Sequence, residues 1–433
     1  MDDVDDVDDV DDQLPVTDEP MPLAGVNFFD PAINDCPYPA YRTLRDDAPV
    51  WFDERLRGYV ITRHDDVRSV LQDSERFVNS RSAAKQARTI SPKILSLYQD
   101  KGWVPAPTLA GRDDPNHREM RNLFAHAFRP KRIAELEPHI RGLANELIDG
   151  FITDGSCDWV AQFAVPLPLV VIGVQMGANP DDIWRIKAWT DAWVQRLGLM
   201  QTPDEVVWST EMEIEAQHYF QPIFERLRVT PDNTLLSDLV NTPIPEWGRC
   251  LSDEELHAEM MADTFVGGAE TTTNALSGGV RLLIEHPDQW DRLKSDPSTY
   301  LPALVEEVLR LESPVQRLTR IAAVDVQMHG VTIPAGSSVL IGYGAANRDD
   351  RVFDDPARFD LDRVDSKKHL AFGFGTHFCM GAPLARRELL FGFEALVTRI
   401  DEMWFTDSTD LTIAPNYFLR ALKELRIGFR AAN

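Results

Sequence analysis

The residues best suited to chemistry are one cysteine and the glycines and phenylalanines beside it. The stretch FGFGTHFCMG, residues 372–381, ends at Cys379 and Gly381, just before a predicted apolar helix. Glycines permit backbone angles and close approaches that a Cβ forbids. A thiolate at a helix start meets free N–H groups and the positive end of the helix dipole, which favour it as a metal ligand. The phenylalanines favour a large flat cofactor, whereas the alternative is a buried structural cysteine beside a turn.

A second candidate group lies within one long predicted helix. Ser252 and Glu255 form a capping box and His286 precedes a proline, so we predict a helix of about 33 residues, roughly 50 Å long. Its middle reads GGAETTT, residues 267–273. Two glycines inside a helix cost about 2 kcal/mol against alanine, which indicates that a bulky group needs the space. The following threonines favour local widening of the helix, and the alternative is a flexible kink without chemistry.

A third candidate is a pair of basic side chains on a predicted helix. His117 and Arg121 are four residues apart and therefore share one helical face. Two donor groups side by side form a plausible cradle for a carboxylate. Taken alone, such a pair is more typical of an ordinary solvated helix surface than of a binding site.

These stretches together resemble the cytochrome P450 family, the haem-thiolate monooxygenases. The cysteine loop meets the family pattern Phe-x-x-Gly-x-x-x-Cys-x-Gly at every fixed place, although Phe374 stands where bacterial members often carry histidine. Residues 267–271 resemble the family's oxygen-activation motif, with Glu270 and Thr271 as its acid–alcohol pair. The resemblance covers nearly the whole chain, from about Asp30 to Phe429.

The resemblance implies a role for each candidate residue. Cys379 is expected to be the axial ligand of the iron of haem b, iron protoporphyrin IX. Glu270 and Thr271 are expected to be catalytic and to organise the delivery of protons. The expected cofactor-binding residues are His117, Arg121 and Arg320, which contact propionates in the family, together with Gly267, Phe372, His377, Cys379 and Gly381.

The family's structural ion pair is also present in the sequence. Glu307 and Arg310, three apart on a predicted helix, match the family's Glu-x-x-Arg motif. The segment 356–359 resembles the one that supplies a second arginine, which makes Arg358 the predicted third member. A buried charge needs such partners, because removing one of them typically costs about 3–5 kcal/mol.

Composition limits the cellular setting and the partners. Among 433 residues the formal net charge is −26, which argues against nucleic acid and anionic membranes as partners. No apolar run reaches the roughly 18 residues of a membrane span. Four scattered cysteines are too few for a disulfide framework, so we expect a cytoplasmic protein. Residues 1–20 begin with repeated aspartates and are predicted to form a disordered acidic tail, whereas residues 21–433 are predicted to form a single haem-thiolate monooxygenase domain.

Helical patterns dominate the elements that must position these residues. Short helices are predicted near residues 38–45 and 65–71, with a hairpin at 50–62 between them, and further strands at 324–341. The fold class that follows is mostly α with a small β-rich part. The resemblance implies the triangular prism of the cytochrome P450 fold.

The implied reaction is insertion of one oxygen atom from O2 into a small apolar organic substrate, most simply as hydroxylation. The chain offers no flavin or iron–sulfur segment, so the expected electron donors are a separate ferredoxin and its NAD(P)H-dependent ferredoxin reductase. Two alternatives stay open, a peroxide-driven peroxygenase and a non-catalytic haem-binding or sensor protein. An acidic ferredoxin would need a local basic surface on this acidic chain. The cationic residues predicted for that surface are Arg112, Arg118, Arg129, Lys131, Arg132, Arg386 and Arg387.

Overall fold

A computed structural model describes residues 19–80 and 90–432. The acidic tail predicted for residues 1–20 lies, up to residue 18, outside this described part. The described helices are α1 (Pro31–Asp35), α2 (Tyr38–Asp47), α3 (His64–Gln72), α4 (Pro92–Lys101), α5 (Asn116–Ala127), α6 (Pro130–Asp149), α7 (Pro166–Gln175), α8 (Ile183–Leu197), α9 (Pro203–Val229), α10 (Leu235–Asn241), α11 (Asp253–Glu259), α12 (Thr271–Glu285), α13 (Pro287–Ser295), α14 (Pro297–Glu312), α15 (Tyr343–Ala346) and α16 (Ala382–Arg399). The prediction of a mostly helical chain is confirmed.

The long predicted helix is the central element of the fold. A π-helix over Met260–Glu270 joins α11 to α12 without a break, and we call Asp253–Glu285 the central helix. Its start carries the predicted capping box: the Ser252 hydroxyl accepts from the Glu255 N–H, and the Glu255 carboxylate accepts from the Ser252 N–H. The predicted widening is also present, because a π-helix closes its hydrogen bonds over five residues instead of four.

Three small sheets accompany the helices. The strands are β1 (Val50–Asp53), β2 (Gly58–Ile61), β3 (Phe77–Val78), β4 (Ser156–Asp158), β5 (Arg317–Ala322), β6 (Val326–Met328), β7 (Val331–Ile333), β8 (Ser338–Gly342), β9 (Ile400–Phe405) and β10 (Arg426–Ala431). The largest sheet has the order β1-β2-β8-β5-β3, with β2 and β8 parallel. The predicted hairpin is β1 and β2. The strand predicted from Val324 begins at Val326, and β5, which carries Arg320, is a strand that the sequence pattern did not reveal.

The helix after the cysteine packs closely on the central helix. A Cβ on Gly392 of α16 would come within 2.8 Å of Leu276 Cδ2 on α12, so glycine allows this close crossing. Glu388 of α16 is completely buried and faces the Thr272 hydroxyl. The main hydrophobic core surrounds this crossing and includes residues from Leu109 to Phe429.

The predicted ion pair is buried, but its third member is not the predicted one. Glu307 and Arg310 form two hydrogen bonds, of 2.7 and 2.8 Å. Arg363 Nε lies 3.0 Å from Glu307 Oε1, and the Arg363 side chain is also buried. The prediction of Arg358 is wrong: its side chain is 59% exposed, and only its carbonyl accepts hydrogen bonds from Arg310 and Arg363.

Candidate active site

The loop before α16 presents the Cys379 sulfur at the start of a helix. Cys379 N donates to Phe372 O at 2.9 Å, which closes the loop. Gly373 and Gly375 have positive φ angles of 71° and 69°. A Cβ on Gly375 would also lie 2.7 Å from Leu71 O, so two separate constraints require glycine there.

Burial and hydrogen bonding act in opposite directions on the Cys379 thiol. Loss of hydration raises its pKa, while the N–H groups of Gly381 and Ala382 and the charge of Arg121 lower it. The helix start therefore favours ionisation of the Cys379 thiol as predicted, but burial raises its pKa by more than the helix start lowers it. A metal ion bound to the sulfur would supply the remaining stabilisation of the thiolate.

Four of the predicted cofactor-binding residues lie together around this loop. The His117 and His377 rings are 4.0 Å apart, and Arg121 Nη2 donates to Phe378 O at 2.7 Å. Burial, together with the nearby His117, Arg320 and Arg121, lowers the pKa of His377 to about 3. His117 is 1% exposed, and its Nε2 has no hydrogen-bond partner. The charges of Arg121 and Arg320, beside a buried His117 ring nitrogen with no partner among the described residues, are suited to receive carboxylates.

One stripe of the central helix borders open space inside the protein. From Glu255 to Val280 every residue is buried except five, which recur at intervals of four to five. In a π-helix such positions share one face. The five partly or fully accessible residues are Ala262, Asp263, Gly267, Gly268 and Thr271, which we call the open stripe. A Cβ on Gly267 would meet only one atom within 4 Å, the Ala262 oxygen at 3.9 Å, so this predicted residue adjoins free volume.

The predicted acid and alcohol lie next to each other but have different partners. Thr271 Oγ1 donates to Gly267 O at 3.0 Å, so its lone pairs stay free to accept from the cavity. Glu270 Oε1 instead accepts from Thr190 Oγ1 at 2.8 Å and lies 3.4 Å from Lys187 Nζ. Burial raises the pKa of Glu270, and Lys187 only partly opposes this.

Several residues around this site were not predicted from the sequence. Lys187 and Thr190 are three apart on α8 and contact Glu270 from about eighty positions away in the chain. Their only local signal was a lysine inside the tryptophan-rich stretch of α8. Asn79 Nδ2 lies 2.8 Å from His377 Nε2 and follows a strand too short to recognise. Asp263 is an acidic residue within an apolar segment of the central helix, and that contrast was a usable signal.

Comparisons with known proteins decide the family. The family model described as Cytochrome P450 matches residues 210–401. The chain is 33% identical to a steroid C26-monooxygenase of Mycobacterium tuberculosis, over 90% of this chain and 93% of that one. The chain belongs to the cytochrome P450 family. It is an oxidoreductase, a monooxygenase of that family.

Solved structures agree with the cytochrome P450 fold. The structure of CYP109Q5 from Chondromyces apiculatus superposes with a TM-score of 0.81 at 32% identity, covering 94% of this chain and 98% of that one. CYP109E1 from Bacillus megaterium, in complex with testosterone, superposes with a TM-score of 0.77 at 32% identity, covering 90% and 99%. The predicted family and fold are thus confirmed.

The residues present fit the haem iron that the family implies. Cys379 offers one sulfur ligand, and the cluster around His117 offers partners for acidic groups. The open stripe leaves the space that a flat macrocycle and a substrate require. No helix among residues 19–80 and 90–432 is long and apolar enough to cross a membrane.

The predicted basic surface is smaller than the sequence suggested. Arg112 and Arg132 are largely buried, in ion pairs with Glu255 and Asp238, so their prediction as surface residues is wrong. Each was close in sequence to exposed cations, but its own partner lies on a distant helix. The predicted residues that remain partly or fully exposed are Arg118, Arg129, Lys131, Arg386 and Arg387.

Proposed function

We propose that this cytochrome P450 inserts one oxygen atom of O2 into a C–H bond of an apolar substrate, and that the Cys379 sulfur would bind the iron of a b-type haem. The observation that carries the proposal is the Cys379 thiol at a helix start, beside the buried His117 ring and the charge of Arg121. Haem bound through this sulfur would supply reductive activation of O2, because a thiolate ligand favours O–O cleavage.

Our proposal gives proton handling to Thr271 and Glu270. The Thr271 hydroxyl donates to Gly267 O, so its lone pairs are free to accept a hydrogen bond from a donor in the cavity. Burial raises the pKa of Glu270, which favours proton uptake by its carboxyl and suits it to pass a proton on. Thr190 and Lys187 fix the position of Glu270 Oε1. The haem propionates would be held and oriented by His117, Arg121, Arg320 and His377. The rest of the haem would contact Gly267, Phe372 and Gly381.

We propose a moderately large apolar compound as the substrate. Two similar proteins support this size: one is named a steroid C26-monooxygenase, and another was solved with testosterone. Binding sites for such molecules are mainly apolar and use a few polar groups to fix orientation. The apolar residues next to the open stripe include Phe265, Val266 and Ala269.

We further propose that electrons arrive from a ferredoxin and its NAD(P)H-dependent reductase, in the cytoplasm. The exposed cations near the cysteine loop, among them Lys131 and Arg387, support an acidic donor. All four cysteines are free, which is compatible with a reducing compartment. One main hydrophobic core supports residues 21–433 acting as a single domain.

The discriminating experiment compares oxygen sources. Purified holoprotein is incubated with a panel of a steroid, a terpenoid, a fatty acid and a polyketide. One set receives ¹⁸O₂, ferredoxin, reductase and NAD(P)H, and the other receives hydrogen peroxide. We expect product carrying one ¹⁸O atom in the first set. Product formed only with peroxide would favour the peroxygenase, and O2-dependent NAD(P)H consumption without any product would contradict the proposal.

A further inference from the structure

One member of the open stripe has no role in the reaction described so far. Asp263 lies on the π-helical part of the central helix, four residues before Gly267 and eight before Thr271. Its side chain is partly accessible, and so is its hydrogen bond with Ala110, as expected for a group that borders a cavity. Stripe residues on either side are alanine, glycine and threonine, so Asp263 is the only charge on this face.

The other buried acids of the central helix have different surroundings. Glu255 is in ion pairs with Arg112 and Arg249, and Glu270 is in one with Lys187. Glu259 is 1% exposed and accepts from Leu109 N at 2.6 Å. Asp263 forms no ion pair with any cationic side chain in the described part of the chain. Its Oδ2 accepts from Ala110 N at 2.8 Å, and its carboxylate also accepts from the Thr108 hydroxyl.

An unpaired carboxylate inside a protein is costly. Burial typically costs several kcal/mol per ion unless an opposite charge and hydrogen bonds compensate. The Ala110 N–H and the Thr108 hydroxyl are both neutral donors and give only part of that compensation, because loss of hydration still raises the pKa of Asp263. A cationic group placed in the cavity would supply the rest.

We infer that Asp263 is a specificity-determining residue that binds a basic nitrogen on the substrate. The substrate class is then an apolar molecule of moderate size with one protonated amine. This inference rests on the proposed function, because it takes the cavity along the open stripe as the substrate site. It adds the chemical feature that orients the substrate there.

Helix geometry also predicts where the oxidised carbon lies. Eight residues separate Asp263 from Thr271, and the α-helical rise of 1.5 Å per residue sets an upper limit of about 12 Å, because the π-helix between them is wider and rises less per residue. The carbon that reacts beside Thr271 is therefore expected no more than about 12 Å along the helix from the nitrogen bound by Asp263. A flexible chain would be oxidised near its far end, not next to the amine.

The test measures binding alone, so it does not depend on turnover. Three phenylalkyl series of increasing length are compared by calorimetry on the holoprotein at pH 7; they differ only in a terminal dimethylamino, hydroxyl or isopropyl group. The protonated amine has no free lone pair for iron, so its affinity reports the cavity. We expect the amine to bind at least about tenfold more tightly than the isopropyl compound, a factor that corresponds to about 1.4 kcal/mol. Equal affinities, tighter binding of the hydroxyl compound, or no binding of the amine at any length would overturn the inference.

Two matched variants separate recognition from a structural role. Asp263→Asn keeps an oxygen for the Ala110 N–H but removes the charge, so it should lose the amine preference and change isopropyl binding less than about twofold. Glu259→Gln neutralises the neighbouring enclosed acid and should keep the preference. If Asp263→Asn weakens all three ligands by the same factor, the carboxylate only holds residues 108–112 in place. A preserved amine preference with failed oxidation would instead contradict the proposed function alone.

Discussion

At the scale of single residues, the groups around Cys379 stabilise its thiolate only in part, and a metal ion bound to the sulfur would supply the rest. Burial raises the pKa of the thiol, and two backbone N–H groups with Arg121 oppose that effect without reversing it. Cys157, on β4, shows the contrast: burial, together with the adjacent Asp158, raises its pKa to about 12. The two sulfurs differ in whether donors and cations surround them.

Cys379→Ser should abolish the thiolate signature of the holoprotein. Reduced wild-type protein with carbon monoxide is expected to show the strongly red-shifted Soret band of a thiolate adduct. A serine hydroxyl cannot replace the thiolate, because its proton is held too tightly. Cys157→Ser is the control and should keep the band. Retention of the band in Cys379→Ser, or its loss in Cys157→Ser, would contradict the assignment.

Thr271→Ala should separate oxygen consumption from product formation. The variant loses a hydroxyl that accepts from the cavity but keeps the backbone of the helix. Positioned proton transfer typically contributes 10²–10⁴-fold, so we expect the product formed per NAD(P)H to fall at least about tenfold, with peroxide released instead. Peroxide and product are measured together under ferredoxin-driven turnover. Thr271→Ser keeps the hydroxyl and should retain most of the coupling; equal coupling in the alanine variant would refute the role.

The residues that sequence reasoning found are those defined by local spacing. Cys379 lies in a fixed pattern of glycines, and His117 and Arg121 share a helical face by their spacing alone. Lys187 could not be found this way, because its contact with Glu270 depends on how α8 crosses the central helix. That crossing is a property of packing, which no single segment encodes.

At the scale of elements, the central helix shows why glycines that destabilise a helix are present: they leave space for the active site. The two glycines at 267 and 268 serve different needs: Gly267 adjoins free volume, whereas a Cβ on Gly268 would lie 3.3 Å from Ile172 Cγ1. The glycines predicted the space, but the length of the π-helix, Met260–Glu270, exceeded the local widening that the sequence indicated. Packing of α7 and α8 on this segment accompanies the change, and the sequence gives no signal for it.

The buried ion-pair network makes a sharp prediction about stability. Arg363→Ala leaves the carboxylate of Glu307 with one of its two arginine partners. It also changes the electrostatic environment of Arg310. Removal of a partner from a buried pair typically costs about 3–5 kcal/mol, so the free energy of unfolding should fall by that order. Arg358→Ala removes an exposed side chain and should change it by less than about 0.5 kcal/mol. Denaturant unfolding of both holoproteins measures the difference.

Equal destabilisation by the two variants would contradict this view of the network. The sequence could not distinguish Arg358 from Arg363, because both lie in one irregular segment without periodicity. Three-dimensional placement decides it: the Arg363 guanidinium also donates to the carbonyls of Asp354, Asp355 and Arg358. Each of those bonds orients the arginine toward Glu307.

At the scale of the whole molecule, an acidic chain presents exposed cations on two of its helices. The chain carries −26, yet Lys131 at the start of α6 is 83% exposed, and Arg387 on α16, the helix after Cys379, is 45% exposed. Each of these cations has one acidic partner, Glu135 at 3.9 Å and Glu137 at 3.0 Å. A negatively charged donor is repelled at long range by the whole protein, and its carboxylates must compete with these exposed ion pairs to be attracted locally.

Reversal of these two charges should slow the first electron transfer from an acidic ferredoxin. In Lys131→Glu/Arg387→Glu we expect a rate about tenfold lower at low salt, with a defect that shrinks as salt rises, because exposed charges are screened beyond about 8–10 Å at ordinary ionic strength. Arg430→Glu serves as the control. Arg430 is 64% exposed and lies on β10 in the three-stranded sheet, so this variant reverses an exposed charge at a different place on the surface. Stopped-flow reduction at several salt concentrations measures both. If the double variant keeps the wild-type rate and salt dependence, or if Arg430→Glu shows the same defect, the donor docks on another face.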